Sequence, residues 1–207
     1  MKFYESGDSS KPVIFLFPGT CCLYSSFDHI LDGLHSYFYT VTVSYDGFDP
    51  NEKTEFYSME DECEKIEQEI KKKYDGRIKA AYGCSLGGSF VSLLIQRKRI
   101  HIDHGIIGSS DMDEAGHLVA KIKSSMVVPF MYKMIHTGAL PKFMQKKLNK
   151  TDEVKKELYN GFLNMFGIGK GGNPWITKQS IYNQFYSDLV TKVQHGIDVP
   201  GTTIHVF

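Results

Sequence analysis

The chain has 207 residues, 42% of them apolar and 23% charged, and its 24 basic and 24 acidic side chains give a formal net charge of zero. That balance excludes a disordered chain, and the length suits one large domain or one domain carrying an insertion. Without a charge excess, neither nucleic acid nor an anionic membrane is expected as a partner held by long-range attraction.

Residues 1–11 contain Glu5 and Asp8 and no long apolar core, so no signal peptide is expected there. The run Val13 to Phe17 is far short of the ~20 residues a membrane helix needs. It stops at Pro18-Gly19 and suits a strand buried on both faces. Ser25 to Tyr37 places Phe27, Ile30, Leu31 and Leu34 at helical spacing, and Phe38 to Ser44 is a β-branched and aromatic second strand. Ser58-Met59-Glu60-Asp61 has the form of a capping box. Beyond it Met59, Cys63, Ile66, Ile70 and Tyr74 share one face of a surface helix, closed by Asp75-Gly76. Ile78 to Tyr82 is the next strand, Gly87 to Gln96 an apolar helix, and His104 to Gly108 a further short strand. Strands alternating with helices predict a mostly parallel sheet with helices on both faces.

Between about Asp113 and Val199 the pattern changes to helix candidates alone: Ala115–Lys123, Met126–Thr137, Lys142–Leu148, Thr151–Phe166 and a Tyr/Phe-rich stretch near Ile181–Val193. Lys142, Lys146, Lys147 and Lys150 are either a local basic patch or, the preferred reading, the solvated face of a short helix. Met126 to Met131 suits either an adaptable acyl pocket or ordinary helix packing. Gly167 to Gly172 is a flexible loop rather than a phosphate loop, since no strand precedes it and no Ser or Thr follows Lys170. Thr202 to Phe207 turns β-branched and apolar again, like one more core strand. The four cysteines, Cys21, Cys22, Cys63 and Cys84, lack C-x-x-C spacing. That argues against a zinc site or a secreted disulfide framework, and for a reducing, cytoplasmic setting.

The pattern that carries chemistry is Gly83-Cys84-Ser85-Leu86-Gly87, a G-x-S-x-G placed where an apolar strand meets an apolar helix. A serine held on so sharp a turn needs neighbours with minimal side chains, and a helix N-terminus beneath it favours developing negative charge. The alternative is a tight strand–helix turn with an idle serine. With the Phe17-Pro18-Gly19-Thr20-Cys21 turn after the first buried strand, the sequence resembles the α/β-hydrolase superfamily over residues 3–112 and 199–207. The resemblance implies Ser85 as nucleophile and an oxyanion hole formed by the amides of Leu86 and Thr20, with Cys21 as the alternative to Thr20. Pro18 stands where many members have histidine.

In that superfamily the acid and the histidine follow the serine, after late strands. Both are therefore expected beyond Phe207, and the chain reads as lacking a C-terminal strand and helix. Asp111, in the loop after the strand at His104–Gly108, is a substitute acid or merely a loop cap, and Asp113 is a weaker one. None of the eight histidines stands out as the base. The expectation is an α/β fold with residues 1–112 and 199–207 as core and 113–198 as an inserted helical cap. Its expected role is a serine hydrolase of an ester or thioester with a largely apolar acyl group, using no cofactor or metal. An acyltransferase or a non-catalytic binder of the same fold are the alternatives. A homodimer through an exposed sheet edge is also expected.

Overall fold

The computed structural model describes residues 1–110, 114–168 and 171–207, with the backbone alone for Phe143, Lys147, Leu148 and Phe162. Six strands form one sheet: β1 (Lys2–Ser6), β2 (Val13–Phe17), β3 (Tyr39–Ser44), β4 (Arg77–Cys84), β5 (His101–Gly108) and β6 (Thr203–Val206). Their order is β1-β3-β2-β4-β5-β6. All neighbours are parallel except β1, which pairs antiparallel with β3. Parallel pairing brings the C-terminal ends of β2, β4 and β5 to one edge, where Pro18, Ser85 and Ser109 follow their strands.

The apolar run of β2 divides between the two faces, as the alternation of side chains requires. Phe15 and Phe17 enter the larger core, which gathers helix α2 (Met59–Tyr74) and helix α3 (Leu86–Arg97). Ile14 and Leu16 point the other way with Ala80, under Ile30, Leu31 and Leu34 of helix α1 (Asp28–His35). Helices therefore cover both faces. The expected helix over residues 25–37 is realised as a short 3-10 turn at Tyr24–Phe27 running into α1. Its counterpart α2 forms as the capping pattern predicts. The Ser58 hydroxyl accepts from the Asp61 amide, Met59, Cys63, Ile66 and Ile70 are fully buried, and Asp75 closes the helix in the left-handed conformation.

Four helices separate β5 from β6: α4 (His117–Thr137), α5 (Lys142–Leu148), α6 (Glu153–Met165) and α7 (Lys178–Val190). The two helix candidates over residues 115–137 are one continuous helix that runs through Ser124-Ser125 and contains Pro129. Val128 and Ile135 of α4, Ile176, and Ile181 of α7 join the same cluster as the sheet face. Helix α7 is bonded to the segment after β3: the Ser187 hydroxyl accepts from the Met59 amide at 2.7 Å, and the Asn183 carboxamide donates to the Phe56 carbonyl at 2.7 Å. No helix among the described residues is long and apolar enough to cross a membrane.

Candidate active site

Ser85 sits between β4 and α3 with φ 53° and ψ −124°. A non-glycine residue at such a φ costs on the order of 1–3 kcal/mol and persists only where its surroundings enforce it. Here they do. A Cβ on Gly83 would lie 2.0 Å from the Gly87 carbonyl oxygen, and one on Gly87 would lie 2.1 Å from the Phe17 carbonyl oxygen. Both positions admit only glycine, so the strand, the turn and the helix close on one another as tightly as backbone allows. The Ser85 amide donates to the Gly108 carbonyl at 2.9 Å, which ties the turn to the end of β5.

The consequence for the side chain is exposure. Ser85 is solvent-exposed while Leu86 through Ser89 behind it are buried, and its hydroxyl caps none of the α3 amides. It has no hydrogen-bond partner among the described residues. Leu86 is the first residue of α3, so its amide has no intrahelical acceptor and stands at the positive end of the helix dipole.

The turn after β2 lies directly alongside. A Cβ on Gly19 would be 3.6 Å from the Ser85 Cβ and 3.2 Å from the Cys84 carbonyl oxygen. This turn is pinned from several directions. The buried Tyr45 hydroxyl donates to the Pro18 carbonyl at 3.1 Å, and the Cys22 amide donates to the Gly19 carbonyl at 3.0 Å. The Cys21 amide donates at 2.7 Å to Oε1 of Gln184, a fully buried side chain of α7. Cys21 itself is left-handed, with φ 60°. The Cys21 amide is thus engaged, whereas no acceptor for the Thr20 amide is found among the described residues.

The neighbouring thiols do not compete with the hydroxyl. Burial pushes the Cys22 thiol up to about 12, and burial raises Cys21 well above its ordinary value, so both are neutral thiols at pH 7. Asp111 and Asp113 lie outside the described residues, as do Gly169 and Lys170 of the glycine-rich loop. Five of the eight histidines engage elsewhere: His104 with His205 at 3.3 Å across β5 and β6, His101 with Asp103, His35 with Ser6, and His117 with the Tyr186 hydroxyl, while the His136 ring lies against Tyr132. Sequence reasoning missed Tyr45 and Gln184. No local signal marks either, since Gln184 is 163 residues from the amide it holds.

No family model matches the sequence, and no curated protein matches it significantly. Solved structures do. An α/β-hydrolase family protein from Desulfitobacterium hafniense superposes with a TM-score of 0.70 at 15% identity, covering 91% of this chain and 72% of that one. A structure from a study of carboxylesterases of Nitrososphaera gargenis gives 0.68 at 14% identity, covering 99% and 74%. The type II thioesterase BorB of the borrelidin biosynthetic cluster gives 0.62 at 12% identity, covering 99% and 76%. The chain has the α/β-hydrolase fold, a mostly parallel sheet flanked by helices, and the structures that share it include hydrolases, esterases, a thioesterase and a dioxygenase.

Proposed function

We propose that this chain is a serine hydrolase acting on an ester or thioester of a largely apolar acyl group. Ser85 Oγ attacks the carbonyl carbon, the hydroxyl proton passes to a base, and the carbonyl oxygen becomes an oxyanion held by the Leu86 and Thr20 amides. Collapse of that intermediate expels the alcohol or thiol with its proton and leaves an acyl-Ser85, which water then cleaves. Residues 113–198 serve as a cap on a core of residues 1–112 and 199–207, with Asp111 as candidate acid. The observation that carries this reading is an exposed, unbonded serine hydroxyl on an enforced left-handed turn at a helix N-terminus, beside a second turn with an amide to spare. The fold shared with esterases and a thioesterase supports it.

One observation favours the second reading, a binder of the same fold. No described histidine is bonded to Ser85, and serine without a base is a weak nucleophile. Turnover of p-nitrophenyl esters from acetate to octanoate and of matching S-acyl thiols separates the two. The hydrolase reading expects Ser85→Ala to lose at least about a thousandfold in rate. Equal rates in the two proteins sink it, and saturable ester binding without turnover establishes the binder.

A further inference from the structure

The zero net charge conceals a segregation of charge. Residues 115–151 contain seven lysines (Lys121, Lys123, Lys133, Lys142, Lys146, Lys147 and Lys150) and not one Asp or Glu. The remaining residues therefore carry the compensating acidic excess. Lys121, Lys123, Lys133, Lys142, Lys146 and Lys150 are all exposed, and none of these six is in an ion pair with a described residue. Lysines outside the segment are frequently paired, among them Lys65, Lys73, Lys79, Lys156 and Lys192.

Helix α4, which opens this segment, is apolar on the wrong side for a helix facing water alone. Ala120, Ser124, Val128, Met134 and Ile135 are buried, giving one face turned into the protein. On the opposite side Leu118, Ile122, Met126 and Phe130 recur every four residues and are 73%, 53%, 74% and 40% exposed. Val119, also exposed, falls within the stripe. At 100° per residue Lys123 and Lys133 fall within or beside it. An outward apolar stripe bordered by unpaired lysines, whose long stems reach past it to water, is the pattern of a helix lying in a lipid–water interface.

We propose that the outer face of α4, with the lysines that follow it, is a docking surface for an anionic lipid bilayer. Charge selects the occupant. A second copy would set seven lysines against seven, and a nucleic acid offers nothing to the apolar stripe. An acidic headgroup layer over acyl chains satisfies both features at once. The expectation of no membrane partner rested on the summed charge, which does not describe where the lysines lie.

Flotation of the full chain with vesicles of 70% phosphatidylcholine and 30% phosphatidylserine, against pure phosphatidylcholine, tests the proposal. The native chain is expected to float with the anionic vesicles and to be released by high salt. Leu118→Ser/Ile122→Ser/Met126→Ser should lose binding with an unchanged melting temperature, because those side chains are exposed. Lys121→Glu/Lys123→Glu/Lys133→Glu should weaken anionic binding by about a hundredfold or more. Native protein that stays off both vesicles overturns the proposal, as does binding that either triple variant leaves intact. Capture by polyglutamate but not by vesicles replaces it with an acidic polypeptide partner. A native dimer that the serine variant converts to monomer replaces it with self-association.

Discussion

Two turns meet at Ser85, and they are built by opposite means. The elbow between β4 and α3 is local: five consecutive residues, two of them glycines that no side chain could replace, impose its shape. The turn after β2 is assembled from a distance. Tyr45 after β3 holds its Pro18 carbonyl, and Gln184 of α7 holds its Cys21 amide. Behind Tyr45 stands a further support, the buried Glu62 of α2, whose carboxylate accepts from the Asp46 amide at 3.0 Å. One half of the site is thus fixed by chain geometry, and the other by tertiary structure that includes α7.

Substitutions should divide along the same line. The largest effect belongs to the elbow: Gly87→Ala drives a methyl into the Phe17 carbonyl and should cost about 4 kcal/mol or more in urea unfolding, or prevent folding. Gly161→Ala is the control. That glycine lies inside α6 with nothing within 4 Å of the added methyl, and the change should stabilise by up to about 1 kcal/mol.

Next is the support under Tyr45. Burial is the main cause that raises the Glu62 carboxyl from 4.5 to about 7, so the folded protein holds that proton more tightly than the unfolded chain. Its contribution to stability is present below pH 4.5 and is lost as pH rises through about 7, a change on the order of 3 kcal/mol. Glu62→Gln should remove this slope, seen as a difference between variant and native unfolding free energies that grows from pH 4.5 to 7.

Gln184→Leu strands the buried Cys21 amide and should cost about 2 kcal/mol. Exchange of that amide should accelerate, and Cys21→Gly should recover part of the loss by relieving the left-handed strain. Because only a carbonyl-type oxygen can face the Cys21 N–H, Gln184→Glu should keep the turn in place. The smallest effect is Tyr45→Phe, which removes one neutral hydrogen bond and should cost about 1 kcal/mol. If Gln184→Leu leaves Cys21 exchange untouched, the distinction between the two turns collapses.

The same distinction explains what was legible in the sequence. The elbow, the parallel strands and α2 were readable because each is dictated by neighbours in the chain: a glycine pair, an apolar run, a cap with a periodic face. β1 was missed because a five-residue edge strand paired on one side, Lys-Phe-Tyr-Glu-Ser, carries little apolar signal. Ser124-Ser125 read as a break in α4, yet the helix continues because Ser124 lies on the buried stripe and its neighbours on that stripe pack inward. Gln184 and Tyr45 were invisible because their roles exist only after the chain has closed. The summed charge is silent in the same way, since it says nothing of where the lysines gather.

The central claim is that Ser85 is a nucleophile served by two turns, and its most direct test is covalent. After incubation with a fluorophosphonate, intact-mass and peptide mapping should find a single phosphonyl adduct on Ser85 and none in Ser85→Ala. An unmodified native chain, or equal labelling of the alanine variant, would contradict it.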